Sequence, residues 1–164
     1  MSDANRTARL LAFAVPAFLL GGAYISQYVF GLYPCEMCWW QRYPHFLALA
    51  LSVLALMRPP ARPLVMLAGI AIVVSGLIGA YHAGVEYGWW PGVTACTLTA
   101  SQGGDPLAAI MNAPLIRCDV PQWTLLGISL AGFNFVFSVA GGVAVLALLS
   151  RRDTPAAALK GAGA

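Results

Sequence analysis

The sequence has 164 residues, of which 60% are apolar and only 9% are charged. Soluble domains carry about 25% charged residues, so this composition excludes an ordinary soluble globular domain and predicts a protein that crosses a membrane several times. The formal net charge of +3 is small and scattered, which argues against a nucleic-acid-binding protein.

Uncharged runs along the chain predict an all-α membrane protein with a four-transmembrane-helix bundle. About 20 apolar residues are enough to cross a hydrocarbon core of about 30 Å. A cleaved signal peptide is the alternative for the first run, but the apolar stretch continues past the small residues at which cleavage would occur. The predicted spans are residues 10–32, 36–57, 63–86 and 122–150.

The length of the second span places a pair of cysteines at the membrane surface. A helix that began at Pro44, the usual first-turn position of proline, would reach Met57 after only about 21 Å and could not cross. The helix must therefore begin near Glu36 or Cys38. Cys35 and Cys38 consequently lie at the surface, around the first helical turn.

The third and fourth spans are joined by the one long connection, residues 87–121, which holds Cys96 and Cys118. Within it, an aspartate followed by proline matches a helix N-cap and first-turn residue, so a short helix is predicted at 105–111. The sequence predicts a single domain, residues 1–150, with a flexible tail at 151–164.

The distribution of basic residues predicts the orientation. With four spans, both termini and the turn at 58–62 lie on one side of the membrane, which is cytoplasmic if it carries the excess of lysine and arginine. Arg42 and Arg117 lie on the opposite side, and all four cysteines lie there with them. The first side holds seven of the nine basic residues: Arg6, Arg9, Arg58, Arg62, Arg151, Arg152 and Lys160.

Three interpretations of the cysteines follow from this compartment. Structural disulfides fit Cys96 and Cys118, but a Cys-x-x-Cys pair closes too short a loop to stabilise much. A zinc site is a second interpretation, although the long connection contains no histidine. Thiol–disulfide exchange is favoured, because a helix N-terminus and Arg42, four residues along, both favour the thiolate of Cys38.

A redox pair at this surface needs an electron acceptor. The sequence has no nucleotide, haem or flavin motif, which leaves the quinones dissolved in the bilayer. Arg42 could stabilise charge on a quinone oxygen, although an arginine here could instead reach lipid headgroups. His82 and Glu86, four residues apart, could close a quinone site or form a structural pair. The tryptophans fit an aromatic belt or a pocket lining: Trp39, Trp40, Trp89, Trp90 and Trp123.

The order of these features resembles the DsbB family of inner-membrane thiol oxidases, which pass electrons to quinone. Four spans and a second outer loop with two cysteines agree with that family. The motifs that carry the resemblance are Cys35-x-x-Cys38 with Arg42, Tyr81-His82-x-Gly84-Val85-Glu86, and Arg117-Cys118-Asp119 followed by Trp123-x-x-Leu126-Gly127-x-Ser129.

The resemblance implies a reaction and a role for each cysteine. Cys96 would be attacked by the reduced form of DsbA, a thioredoxin-like periplasmic oxidase, and Cys118 would pass the exchange to Cys35. Cys38 would face the quinone, ubiquinone or menaquinone, and no metal would take part. The protein would lie in the bacterial inner membrane with its cysteines in the periplasm. The residues expected at the quinone are Arg42, Trp123, His82 and Glu86.

Two other functions remain open from the sequence. A vitamin-K-epoxide-reductase-like oxidase would use the same chemistry, but its loop cysteines would precede the Cys-x-x-Cys pair. A membrane scaffold or small transporter with disulfide-stapled loops needs no redox role, although the spans carry few of the buried charges that transport sites use.

Overall fold

Four long helices make up most of the chain, because each uncharged run is long enough to form one. The computed structural model describes residues 3–57, 61–94, 97–98 and 115–151. The predicted all-α, four-helix architecture is confirmed in this part of the chain. The helices are α1 (Asp3–Tyr28), α2 (Glu36–Met57), α3 (Arg62–Glu86) and α4 (Leu130–Ser150).

Three of the described helices, α1, α3 and α4, are long and apolar enough to cross a membrane. Helix α2 has 22 residues, and its first half carries Gln41, Arg42 and His45. At 1.5 Å per residue it is about 33 Å long, which also suffices to cross. Its polar side chains are buried among the other helices, so they need not meet lipid.

The helices form a ring in chain order, since α1 and α3 each pack against both α2 and α4. Helices α3 and α4 approach closely because small residues line their contact. A Cβ atom on Gly142 would lie 2.6 Å from Val73 Cγ2, and one on Gly76 would lie 2.8 Å from Val139 Cγ2. Close backbone approach at small residues is a common way for helices to pack in membranes.

Helix α1 differs in its bounds from the predicted span at 10–32. It begins at Asp3, whose carboxylate lies in the first turn, so the polar N-terminal segment continues the helix. It ends at Tyr28, and Gly31 follows with a φ of 69°. Glycine adopts this left-handed conformation without steric strain, which allows the chain to leave the helix there.

The long connection contains short strands where it is described. Strand β1 (Thr97–Leu98) pairs with β2 (Leu115–Ile116), and β3 (Thr124–Leu125) pairs with β4 (Ile128–Ser129), both in antiparallel fashion. The predicted short helix at 105–111, Cys96 and the tail from residue 152 onward lie outside the described residues.

The β3–β4 hairpin occupies the part of the chain that was expected to begin the fourth span at residue 122. Leu126 and Gly127 turn the chain with φ values of 53° and 77°. Positive φ at both central residues is typical of a tight two-residue hairpin turn. Ser129 then caps α4 by accepting a hydrogen bond from the Gly132 amide at 3.1 Å, so the helix starts at Leu130.

Candidate redox site

The first cysteine pair lies at one end of the bundle, where the chain enters α2. Cys35 precedes the helix, Cys38 lies in its first turn, and their Sγ atoms are 3.2 Å apart. The Cys38 amide also points to Cys35 Sγ at 3.4 Å. Since a disulfide joins sulfurs at about 2.05 Å, a small movement of either side chain is enough to join this pair.

Cys35 donates the hydrogen bond between the two sulfurs. The hydrogen bond that Cys35 donates to Cys38, together with burial, raises the pKa of the Cys35 thiol to about 12. Cys38 Sγ is the acceptor, and it lies at the N-terminal end of α2, where the helix dipole favours negative charge. Both effects favour negative charge on Cys38, the sulfur that the sequence predicts to be the attacking one.

Cys118 from the long connection reaches the same place. Its side chain is buried in a small cluster with Cys35, Met37 and Val85. Thr94 Oγ1 donates a hydrogen bond to Cys118 Sγ at 3.4 Å. Burial raises the pKa of the Cys118 thiol. Thiols from two distant parts of the sequence, Cys35 with Cys38 and Cys118, thus lie at the same end of the bundle.

His82 and Glu86 also face this end, on the last turns of α3. The His82 side chain is buried, with Nε2 3.6 Å from Cys35 Sγ and 3.8 Å from Glu86 Oε1. Ser129 Oγ donates a short hydrogen bond to Glu86 Oε2. His82 is therefore in contact with the cysteine pair, whereas Glu86 joins the end of α3 to the cap of α4.

Arg42 is enclosed by protein. Its guanidinium group lies 4.9 Å from the ring centroids of both Tyr24 and Trp39. Nη1 donates to Gln27 Oε1 at 2.7 Å, and Nη2 donates to the Ala23 carbonyl at 3.3 Å. With only 6% of the residue exposed, Arg42 does not have the free, extended position of an arginine that anchors lipid headgroups.

A cavity of about 230 Å³ lies beside the pair. Its apolar wall comes mainly from α1 and α4, and Trp123 adds an aromatic ring that packs 6.3 Å from the ring of Phe133. The cavity brings together the predicted site residues that the structure describes, apart from Cys118. Its polar and charged lining consists of Cys35, Cys38, Gln41, Arg42, His45, His82, Glu86, Arg117, Gln122 and Asn134, with Ser26.

A buried polar network that was not predicted from the sequence continues from His82 into the bundle. Gln41 Nε2 lies 2.9 Å from His82 Nδ1, Asn134 Nδ2 donates to Gln41 Oε1 at 2.8 Å, and His45 Nε2 lies 3.0 Å from Asn134 Oδ1. His45 Nδ1 is buried without a hydrogen-bond partner among the described residues. The signal for these residues was present, because polar side chains inside membrane spans usually have a partner or a function.

Fold and site define a class: a membrane protein of four helices, with paired thiols beside a partly polar cavity at one end of its bundle. Residues 5–148 match the family described as "Disulfide bond formation protein DsbB". The chain belongs to the DsbB family, a family of disulfide-forming oxidoreductases, and the predicted family resemblance is confirmed.

Relatives agree with this assignment along most of the chain. A disulfide bond formation protein B of Polaromonas sp. is 31% identical over 160 residues, covering 90% of this chain and 91% of that protein. The protein of the same description from Verminephrobacter eiseniae is 31% identical over 161 residues, covering 90% and 86%. An uncharacterised protein of Rickettsia prowazekii is 26% identical over 143 residues, covering 84% and 83%. No solved structure gives a significant match.

Proposed function

We propose that this protein is a membrane thiol oxidase that reoxidises a DsbA-like periplasmic dithiol protein and delivers the electrons to a membrane quinone. The observation that carries the proposal is the spatial order in which three thiols lie between the long connection and the cavity. Cys118 lies in the same buried cluster as Cys35, Cys35 Sγ lies 3.2 Å from Cys38 Sγ, and Cys38 lines the cavity. This order forms a path from the long connection to the cavity.

Two exchanges would precede the oxidation. In the first, the partner's two thiols become a disulfide while the Cys96–Cys118 disulfide becomes two thiols. In the second, the Cys118 thiolate attacks Cys35 of the Cys35–Cys38 disulfide, and Cys38 leaves as a thiolate. Cys96 then attacks Cys118, which restores the loop disulfide and leaves Cys35 and Cys38 as a dithiol. Each exchange transfers two electrons and two protons, and the burial of Cys118 in one cluster with Cys35 supports the second.

The first pair would then be reoxidised at the cavity. Cys35 and Cys38 form their disulfide by releasing two electrons and two protons. A quinone, when bound, supplies the acceptor because it takes up two electrons and two protons. The cavity of about 230 Å³ fits such a group, since it exceeds the roughly 150 Å³ that admits a benzene ring and has a mainly apolar wall.

Arg42 and Trp123 would hold the ring beside Cys38, and His82 and Glu86 would support the site around it. Arg42 would donate a charge-assisted hydrogen bond to a ring oxygen, and its contacts with α1 hold the guanidinium in place for this. Trp123 would pack against the ring. His82 would contact Cys35 at the edge of the site. Glu86, which accepts a hydrogen bond from Ser129, would hold in place the hairpin that follows Trp123.

The topology proposed for the protein follows from the basic residues. The single domain of residues 1–150 would sit in the bacterial inner membrane with the cysteine end toward the periplasm and the tail at 151–164 in the cytoplasm. This orientation places the thiols in the compartment where disulfides persist. It also gives Cys96 access to a periplasmic partner.

A single-turnover experiment tests the oxidation step. In the variant Cys96→Ser/Cys118→Ser, purified anaerobically and fully reduced, we expect a short-chain quinone to be reduced at one equivalent per protein, because only Cys35 and Cys38 remain as donors. Thiol titration should show the loss of two thiols for each hydroquinone measured by absorbance. If the quinone stays oxidised and all thiols are retained, the proposed oxidation step is wrong and the cysteines have a structural role.

A further inference from the structure

The two thiols and His82 form an arrangement that their roles in exchange do not explain. One ligand atom from each of Cys35, Cys38 and His82 lies within 4.8 Å of the others, and all three side chains are buried or partly buried. Two thiolates and an imidazole are a common ligand set for zinc and other soft metal ions. The reduced site therefore offers three closely spaced ligand atoms to a metal ion.

The contacts of the two His82 ring nitrogens decide whether the ring can be the third ligand. His82 Nε2 faces Cys35 Sγ at 3.6 Å, and Nδ1 faces Gln41 Nε2 at 2.9 Å. An amide nitrogen can only donate, so Nδ1 must accept. In the neutral ring the proton then lies on Nε2, directed toward Cys35, and no lone pair is available there for a metal ion.

The direction of the Gln41 amide is itself fixed. Its Nε2 donates to the Met37 carbonyl at 3.2 Å, and its Oε1 accepts from Asn134 Nδ2 at 2.8 Å. Asn134 is fixed in the same way, because its Nδ2 also donates to the Ser75 carbonyl at 3.1 Å. Backbone carbonyls can only accept, so neither amide can be turned over without placing two acceptors face to face.

We propose that Gln41, held by Asn134, keeps the proton of the His82 ring on Nε2, so that the ring donates to the Cys35 sulfur and cannot ligate a soft metal ion bound by the two thiolates. Gln41 and Asn134 are positioning residues, and they act through His82. Proton placement on the ring requires neither quinone nor a protein partner, so this proposal can be tested independently of the proposed function.

Nitrogen-15 NMR of histidine side chains tests the proton placement directly. The chain contains two histidines, so the ring signals that disappear in His82→Asn identify His82. In the reduced wild-type protein at a pH where the ring is neutral, we expect the proton on Nε2 and none on Nδ1. In Gln41→Glu, whose carboxylate accepts from Nδ1, we expect the proton to move to Nδ1. A wild-type ring protonated on Nδ1 overturns the proposal.

Zinc binding provides a second readout. A carboxylate that orients a metal-ligating histidine typically changes metal affinity by about 10- to 100-fold. We expect the reduced Gln41→Glu variant to bind Zn²⁺ about 10- to 100-fold more tightly than the reduced wild type, measured by competition with a chromogenic chelator. Gln41→Met, which removes the donor without adding charge, should give an intermediate affinity.

One control separates ligation by His82 from attraction to the added carboxylate. In Gln41→Glu/His82→Asn the charge is retained but the imidazole is removed, so the gain in zinc affinity should disappear. Equal zinc affinity in the wild type and Gln41→Glu contradicts the proposal, as does a gain that survives the loss of His82. Oxidation to the Cys35–Cys38 disulfide should abolish tight binding in each protein.

Discussion

Replacing Cys38 with serine is expected to abolish continuous quinone-coupled oxidation of a dithiol partner, because the Cys35–Cys38 disulfide can no longer form. Cys38 lines the cavity and accepts the hydrogen bond from Cys35. Without Cys38, Cys35 has no partner in the first pair and cannot release two electrons to a quinone by forming a disulfide. The loop pair should still oxidise one equivalent of partner. We therefore expect a single burst and then no turnover, measured by alkylating the partner's thiols over time.

The matched variant for this result is Cys118→Ser. It retains the first pair and the cavity but cannot form the loop disulfide, so the burst should be absent. Its first pair should still be oxidised by quinone, at one equivalent per protein. Continued turnover in Cys38→Ser would contradict the proposed path, because electrons would then reach quinone without the cysteine that lines the cavity.

Arg42→Ala is expected to raise the KM for quinone by about 10- to 100-fold, which corresponds to the loss of one hydrogen bond to a charged group. The guanidinium is held between Tyr24 and Trp39 and bonded to Gln27, so it is already in place before a ligand arrives. Steady-state kinetics with a short-chain quinone and a saturating dithiol partner measure the change.

The loss of packing around Arg42 needs its own control. Arg42→Lys keeps the positive charge but loses the planar group that donates to two atoms of α1, so we expect an intermediate KM. The melting temperature of each variant in detergent shows whether the bundle is intact. An unchanged KM in a folded Arg42→Ala protein would mean that this residue joins α1 to α2 and does not contact the quinone.

The sequence predicted those features that depend on distance along one helix. Too few residues remained after Pro44 for a span, so α2 had to begin near Glu36, and this put Cys38 in its first turn. The β3–β4 hairpin was not predicted, because Leu125 and Leu126 look like the start of an apolar span. Its turn is visible only in the backbone, where Leu126 takes a positive φ that leucine rarely adopts.

Contacts between helices could not be predicted from one sequence. Nothing in the spacing of Gln41 and Asn134 indicates that their amides meet, since they lie on different helices and far apart in the chain. The position of Cys118 in one buried cluster with Cys35 depends in the same way on the path of the long connection. Polarity inside an apolar span indicates that such residues have partners, but the fold decides which partners they are.

The most direct test of the account is a coupled assay with purified wild-type protein. Reduced DsbA-like protein and a short-chain quinone are mixed with catalytic amounts of the enzyme, and thiol loss and quinone reduction are followed together. We predict many turnovers, one quinone reduced for each partner disulfide formed, and no sustained partner oxidation without quinone under anaerobic conditions. Partner oxidation that does not depend on quinone, or no turnover with either ubiquinone or menaquinone analogues, would contradict the account.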